Sequence, residues 1–179
     1  MITHARMLIG AVMLSACWQA VAIAGDAATP QEVITKVREA AAYLEKNGAG
    51  GLKTFDTIDS PYVWKDTYVF VFNCEAGLAD VATPFATAKE QKVATDKDAT
   101  GRIIGPGLCK AAERPGGSWF EYMWWRPVKI EGAPQMTHGQ KTLRKVSYML
   151  QVEGQPFQVG AGIYNDTATV AELDAMLKK

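Results

Sequence analysis

The sequence Gly116-Gly117-Ser118-Trp119-Phe120-Glu121-Tyr122-Met123-Trp124-Trp125-Arg126-Pro127 decides the fold of this chain. Five of the seven residues from Trp119 to Trp125 are aromatic, a composition that favours a half-buried β-strand. The two glycines punctuate its start and Pro127 limits its end. Alternation along a strand assigns the side chains to two faces, Trp119, Glu121, Met123 and Trp125 to one and Phe120, Tyr122, Trp124 and Arg126 to the other.

The second of these faces has two interpretations. Tyr122 and Trp124 combine ring surface with polar tips, and Arg126 adds a guanidinium at the end. Such a surface can close on a small polar ligand. A central strand packed between two layers, with Arg126 reaching the solvent, explains the same pattern without a ligand.

Length and charge exclude some classes of protein. The chain has 179 residues, enough for one domain with a substantial core. Lys plus Arg and Asp plus Glu both number 19, so the formal net charge is zero. No overall field therefore attracts nucleic acid or an anionic membrane surface, and we expect neither as a partner.

The first 24 residues have the pattern of a secretory signal. Arg6 precedes an apolar run, and Ala22-Ile23-Ala24 is an A-x-A cleavage site. We expect residues 1–24 to be a signal peptide and residues 25–179 to be a single domain in the periplasm, with no transmembrane segment in the mature chain. A lipobox ending at Cys17, which would anchor a lipoprotein, and a retained signal anchor are the alternatives.

The cysteines of the mature chain are Cys74 and Cys109. An even pair in an exported chain is a disulfide candidate, and two buried free thiols are the alternative. Their spacing fits neither a C-x-x-C redox motif nor a zinc motif, so we expect no metal site there.

The order of elements predicts an α+β fold. Thr29-Pro30-Gln31-Glu32 is a capping box that begins a long helix ending at Asn47-Gly48, and a second box at Thr169 begins a short C-terminal helix. Between them we expect a five-stranded antiparallel sheet, with one helix-covered face and loops over the other. Residues 85–116 are polar and turn-rich, which is typical of a binding loop or lid. The predicted strands span residues 67–73, 78–83, 118–127, 143–152 and 157–164.

Four motifs together resemble the single Cache domains, which are extracytoplasmic sensor domains with a PAS-like sheet. They are Tyr68-Val69-Phe70-Val71-Phe72, Gly117-x-Trp119-x-x-Tyr122-x-Trp124, Arg144-Lys145-Val146-Ser147-Tyr148 and Val159-Gly160-Ala161-Gly162-Ile163-Tyr164. The resemblance runs from about Val33 to Tyr164, and the cysteine positions also resemble a subgroup of stand-alone members. The chain departs from the family at Thr83-Pro84, where many relatives have His-Pro.

The resemblance implies a small-molecule sensor. Family members sense small molecules, often short carboxylates such as acetate or lactate, and usually sit in chemoreceptors and histidine kinases. A membrane receptor or histidine kinase is therefore the expected protein partner. We expect this chain to bind a short organic acid without a signalling output module of its own. The alternative is a structural or interaction module that contacts a membrane-bound partner without a small ligand.

The expected ligand site combines aromatic and basic side chains. A guanidinium or ammonium suits a carboxylate because it makes charge-assisted hydrogen bonds. Alternation separates Lys145 from Tyr148, so one of them must reach around an edge or only one contacts the ligand. The candidate residues are Tyr68, Phe70, Trp119, Tyr122, Trp124, Arg126, Arg144, Lys145 and Tyr148.

Sequence motifs give no support for catalysis. The chain has no G-x-S-x-G, no H-E-x-x-H and no C-x-x-C-H. His138 follows Pro134 in a glycine-containing segment, and we expect it on the surface of a loop. We therefore expect no enzyme activity, no catalytic residues, no metal and no cofactor.

Overall fold

The computed structural model describes residues 27–85, 91–130 and 132–178. The expected signal peptide and Cys17 lie outside these residues. The three α-helices described are α1, Pro30–Asn47; α2, Gly105–Ala112; and α3, Val170–Met176. Two 3₁₀ helices span Gly48–Phe55 and Val93–Thr95. The strands are β1, Val63–Trp64; β2, Thr67–Tyr68; β3, Phe70–Asn73; β4, Leu78–Ala82; β5, Gln91–Lys92; β6, Ser118–Val128; β7, Thr137–Gln151; and β8, Gln158–Tyr164.

The main sheet has six antiparallel strands in the order β5-β4-β3-β8-β7-β6. The α+β class is confirmed, with β5 added to the five predicted strands. β5 escaped prediction because two exposed polar residues, Gln91 and Lys92, show no alternation. β1 and β2 form a separate two-stranded sheet beside it.

Both predicted capping boxes are present. The Thr29 side chain accepts a hydrogen bond from the backbone N–H of Glu32, whose carboxylate accepts one from the Thr29 backbone. Thr169 and Glu172 repeat this arrangement at α3. Each box satisfies backbone donors that a helix start leaves free, which fixes where the helix begins.

Side-chain alternation divides the core between the two faces of the sheet. One face packs on α1 through Val33, Val37 and Leu44, which are fully buried. The other face is covered by the connection from β5 to β6, including α2, whose Leu108 packs against the strands. We call these the helix face and the crossover face. The crossover face is the one that carries Tyr68, Phe70, Phe72, Tyr122 and Met149.

The crossover is held to the sheet at two points. A disulfide joins Cys74, just after β3, to Cys109 in α2, with the two Cα atoms 5.9 Å apart. The predicted disulfide is therefore confirmed. At the edge of the sheet, the backbone N–H of Met123 in β6 donates to the buried carboxylate of Asp98 at 3.2 Å, and Ala99 N–H donates to the Met123 carbonyl at 2.9 Å. These bonds cover the outer edge of β6 and fix the crossover over the crossover face.

Candidate functional site

Lys145 is the centre of the candidate site. It lies in β7 opposite Tyr122 of β6 and Tyr164 of β8, and its side chain is fully buried on the crossover face. Glycine makes room for it, since a Cβ atom on Gly162 would lie 2.9 Å from Lys145 Cε. The small residues of the Val159–Tyr164 motif thus give a long side chain space inside the sheet.

The Lys145 ammonium is surrounded by aromatic rings. Nζ lies 4.2 Å from the centre of the Tyr68 ring, 5.2 Å from Phe70, 5.6 Å from Tyr164 and 6.0 Å from Tyr122. No described residue hydrogen-bonds to Nζ. Burial lowers the pKa of Lys145 to about 7, against the opposing effects of the Asp80 and Asp66 charges. A buried ammonium with three unused donors is a strong attachment point for an anion.

A cavity of about 10 Å³ adjoins these rings. Hydrogen bonds fix the aromatic side chains of its wall. Trp124 Nε1 donates to the Tyr68 hydroxyl at 3.0 Å, and the Tyr122 hydroxyl lies 2.9 Å from Ser147 Oγ. The volume matches about one water molecule. It is lined by Tyr68, Phe70, Phe72, Asp80, Asp96, Ile104, Leu108, Tyr122 and Trp124.

Two buried acids line the cavity. Asp80 lies in β4 with φ +50°, a left-handed conformation that is uncommon for residues other than glycine. Its pKa is raised to about 8, first by burial and second by the charge of Asp96. The pKa of Asp96 is raised to about 6, also mainly by burial. The charge of Asp96 therefore disfavours ionisation of the Asp80 carboxyl.

The structure brings five of the nine candidate residues together. Four of them, Tyr68, Phe70, Tyr122 and Trp124, line the cavity, and the Lys145 ammonium lies near the rings of the first three. The alternation argument that separated Lys145 from Tyr148 is confirmed, because the helix-face core contains Tyr148.

The other four candidates lie away from this cavity. Trp119 and Tyr148 pack together on the helix face with ring centres 5.7 Å apart, since both occupy the opposite alternation class from Tyr122 and Lys145. Arg126 pairs with Asp66 at 3.6 Å. Arg144 pairs with Glu121 and donates to the Asn165 carbonyl at 2.7 Å. Both guanidinium groups thus already have partners at the periphery of the sheet.

The sequence reasoning missed several residues near the site. Asp80 carried a usable signal, because a single acid in the otherwise apolar run Leu78–Ala82 is unusual. Asp96 lies in a charged segment of the sequence, so nothing in its local pattern indicated that it would be buried. The expectation for His138 is wrong, since it lies within β7, partly buried, and stacks on Phe85 with ring centres 4.5 Å apart. Burial, and secondly the Lys145 charge, lower its pKa.

Comparison with known proteins supports the fold. No protein-family model matches the sequence, and no curated protein matches it. The chain is similar to a methyl-accepting chemotaxis protein from Vibrio parahaemolyticus, with a TM-score of 0.52 and 15% identity over 74% of this chain and 81% of that one. This likeness confirms the predicted Cache-like fold, and at such low identity it concerns the fold alone.

Two other solved structures are similar at lower TM-scores. One is described as the periplasmic sensor domain of a chemotaxis protein, with a TM-score of 0.46 and 15% identity over 76% of this chain and 90% of that one. The other is described as showing carboxylic acid recognition by a Cache chemosensory domain, with a TM-score of 0.44 and 18% identity over 74% and 86%.

The described residues contain neither a metal-binding cluster nor a membrane-spanning helix. Within them, no group of three or more His, Cys, Asp or Glu side chains could hold a metal ion. The helices in residues 27–85, 91–130 and 132–178 include none with the length and apolar character of a membrane span.

Proposed function

We propose that the crossover face binds a short organic acid and that the chain serves as a sensory ligand-binding domain rather than an enzyme. The observation that carries this proposal is the fully buried Lys145 ammonium, which has no hydrogen-bond partner among the described residues. Native proteins rarely leave such a group unpaired without a functional reason. The Cache-like fold supports a sensory role by analogy.

The chemistry of the site suits a small carboxylate. The ligand would accept charge-assisted hydrogen bonds from Lys145, each contributing roughly 1.5–3 kcal/mol. Its methyl or methylene groups would pack on the rings of Tyr68 and Phe70, which line the cavity. The ligand's negative charge would also offset the unfavourable burial of the ammonium, so binding would relieve an electrostatic cost already present in the protein.

Entry of such a ligand requires the cavity to enlarge. A volume of about 10 Å³ holds no more than a water molecule. Ile104 and Leu108 form the wall contributed by the crossover, and α2 is attached to the sheet by the Cys74–Cys109 disulfide. We propose that the aromatic rings and this wall move apart on binding, with α2 shifting while the disulfide keeps its Cys109 attached to the sheet. Movement of α2 would give a sensor its structural response.

Ligand-dependent thermal stabilisation tests the proposal. Binding to the native state alone adds RT ln(1 + [L]/Kd), about 2.7 kcal/mol at a hundredfold excess over Kd, and roughly 5–10 °C in a domain of this size. The panel would contain acetate, propionate, pyruvate and lactate. Lys145→Met should abolish the shift, and Lys141→Met, an exposed lysine of the same strand, should leave it unchanged. An equal shift in wild type and Lys145→Met would refute the assignment of Lys145.

The small size of the cavity favours a second candidate function. Aromatic side chains that fill their own pocket are also expected of a structural or interaction module, which would contact a membrane receptor or histidine kinase without a small ligand. In that case no member of the panel stabilises the protein, and Lys145→Met changes its stability alone.

The proposed location is the periplasm. The basis is the sequence of the first 24 residues, which lie outside the described part of the chain. We expect intact mass of periplasmic material to give a mature protein that begins at Gly25. A diacylglycerol-modified Cys17 would instead establish the lipoprotein alternative.

A further inference from the structure

Asp80 is a buried acid of the crossover face that the backbone holds in place. It lines the cavity, and among the described residues none forms a hydrogen bond with its carboxyl group or contributes one to its raised pKa, which results first from burial. Its φ of +50° is a left-handed conformation that is strained for a residue other than glycine and tends to persist where it positions a functional group. The fold therefore keeps an ionisable group here without a hydrogen-bonding partner for it.

The charges of Asp80 and Lys145 act on each other without direct contact. After burial and the charge of Asp96, the Lys145 ammonium is the next influence on the pKa of Asp80, and it lowers that pKa. After burial, the Asp80 charge is the largest influence on the pKa of Lys145, and it raises that pKa. No hydrogen bond joins the two groups, because Lys145 Nζ has no partner among the described residues. The ammonium thus favours the ionised form of Asp80 while its own N–H donors remain unused.

Other ionisable groups surround this pair. Those whose charge or ring interacts with Asp80 or Lys145 are Asp66, Tyr68, Asp96, Tyr122, His138 and Tyr164. Burial raises the pKa of each of these tyrosines and lowers that of the histidine, so all four are uncharged at neutral pH. Asp66 already pairs with Arg126 at 3.6 Å. One buried ammonium therefore faces two buried acids, Asp80 and Asp96.

An anionic ligand would change this balance of charge. Its carboxylate would pair with the Lys145 ammonium and replace Asp80 as the negative charge that favours it. If Asp80 stayed ionised, two anions would share one ammonium in a buried site, which like-charge repulsion and desolvation both oppose. Protonation of Asp80 removes the excess negative charge and leaves one carboxylate opposite one ammonium.

We propose that binding of the organic acid at Lys145 is coupled to protonation of Asp80, so that the site takes up the anion together with a proton. This inference rests on the proposed function and adds a dependence on pH to it. Where the free protein has Asp80 ionised, each proton taken up lowers the affinity about tenfold per unit rise in pH. The affinity should therefore increase as the pH falls, and the sensor should respond more strongly to the same acid in more acidic surroundings.

Calorimetry with propionate measures the proton uptake directly. Titrations of the full mature chain at about pH 8.5 in Tris and in borate, which differ in their ionisation enthalpies, give the number of protons bound with each ligand. Lys145 can itself take up a proton at this pH, so the comparison is between wild type and Asp80→Asn. We expect the variant to take up roughly 0.5–1 proton fewer per ligand. Asp166→Asn, at an exposed acid, is the matched control and should equal wild type.

A second measurement uses the wild-type protein and does not depend on the folding of a variant during titration. Carbon-13 NMR of protein labelled at aspartate follows the carboxyl groups individually, and the spectrum of Asp80→Asn is needed only to assign the Asp80 signal. At about pH 8.5 this signal should move from the position of a carboxylate toward that of a protonated acid as propionate is added. Circular dichroism establishes that each variant is folded before it is used.

The outcomes separate this inference from the function on which it rests. If propionate binding depends on Lys145 but wild type and Asp80→Asn take up equal numbers of protons, the coupling to Asp80 is overturned and organic acid binding stands. An Asp80 signal that stays at the carboxylate position when the protein is saturated leads to the same conclusion. If no acid of the panel binds even at about pH 6, where the coupling would favour binding, the proposed function fails and the coupling fails with it.

Discussion

The Nζ atom of Lys145 lies 4.2 Å from the centre of the Tyr68 ring, and the Tyr68 hydroxyl accepts a hydrogen bond from Trp124. The ammonium therefore faces the π surface of a ring whose own polar group is already engaged. A cation–π contact contributes about 2 kcal/mol when desolvated, which is less than the cost of burying an unpaired ammonium. The protein thus retains a locally unfavourable group at its candidate site, as proteins often do where a ligand binds.

Lys145→Met should stabilise the ligand-free protein. Methionine keeps most of the apolar stem and removes the charge, so we expect the free energy of unfolding to rise by about 1–4 kcal/mol. Urea denaturation at pH 7 measures this. Lys141→Met, at an exposed position of β7, should change it by less than about 0.5 kcal/mol. A loss of stability in Lys145→Met would show that the ammonium has a stabilising partner.

Burial of Asp80 and Lys145 should make the stability of the folded protein depend on pH in an unusual way. Burial raises the pKa of Asp80 from 3.8 to about 8, so between these values the folded protein binds more protons than the unfolded one, and stability falls as pH rises. The pKa of Lys145 is lowered from 10.5 to about 7. From there to 10.5 the unfolded state binds more protons, so stability rises again. The two effects together predict that the free energy of unfolding has a minimum near pH 7–8.

Asp80→Asn tests the part of this profile below pH 8, where ionisation of Asp80 is expected to lower stability. Asparagine tolerates the left-handed backbone at this position, and it cannot ionise. We expect the stability of the variant, relative to wild type, to increase progressively from pH 4 to pH 8 in urea unfolding experiments. A wild-type profile parallel to that of Asp80→Asn across this range would contradict the raised pKa. Asp166→Asn serves as the exposed control.

Gly162→Ala should reduce the space that the Lys145 side chain occupies inside the sheet. The added Cβ would lie 2.5 Å from Ser147 Oγ and 2.9 Å from Lys145 Cε, so we expect a loss of about 1–3 kcal/mol in stability from overpacking. It should also weaken the binding of any ligand that uses Lys145. Gly50→Ala is the matched control, because no atom lies within 4 Å of its added Cβ. Equal stability of the two variants would mean that the packing around Gly162 and Lys145 is looser than the structure indicates.

Local sequence rules predicted much of the fold. The capping boxes at Thr29 and Thr169 located both terminal helices to within a residue of where they begin. Strand alternation assigned Trp119 and Tyr122 to opposite faces, and the core clusters confirm it. These features depend on residues adjacent in the chain, so the sequence contains the information directly.

The candidate site was less predictable because it depends on contacts between distant residues. Asp80, Asp96 and Lys145 meet only through the strand order and the crossover, neither of which has a local pattern. Arg126 and Arg144 looked suitable for a carboxylate until the structure showed their pairing with Asp66 and Glu121. Whether a basic side chain is free for a ligand is thus a tertiary property.

The Cys74–Cys109 disulfide should stabilise both the domain and the wall of its cavity. It closes a separation of 35 residues, for which the loss of chain entropy in the unfolded state predicts about 3–4 kcal/mol. The double variant Cys74→Ala/Cys109→Ala should therefore lower the melting temperature by roughly 10 °C. Differential scanning calorimetry under non-reducing conditions measures the change, and the double variant avoids the free thiol that a single substitution would leave.

The same variant reports on the crossover. Leu108 is adjacent to Cys109 and lines the cavity, whereas Asp98 fixes the other end of the crossover to β6 through Met123. Loss of the disulfide should therefore increase amide hydrogen exchange in α2 while the amides around Asp98 keep their protection. Wild-type protein treated with a reductant should behave like the variant. If α2 exchanges at the wild-type rate in both, packing of Leu108 and Ile104 alone holds the wall, and the disulfide acts only on the unfolded chain.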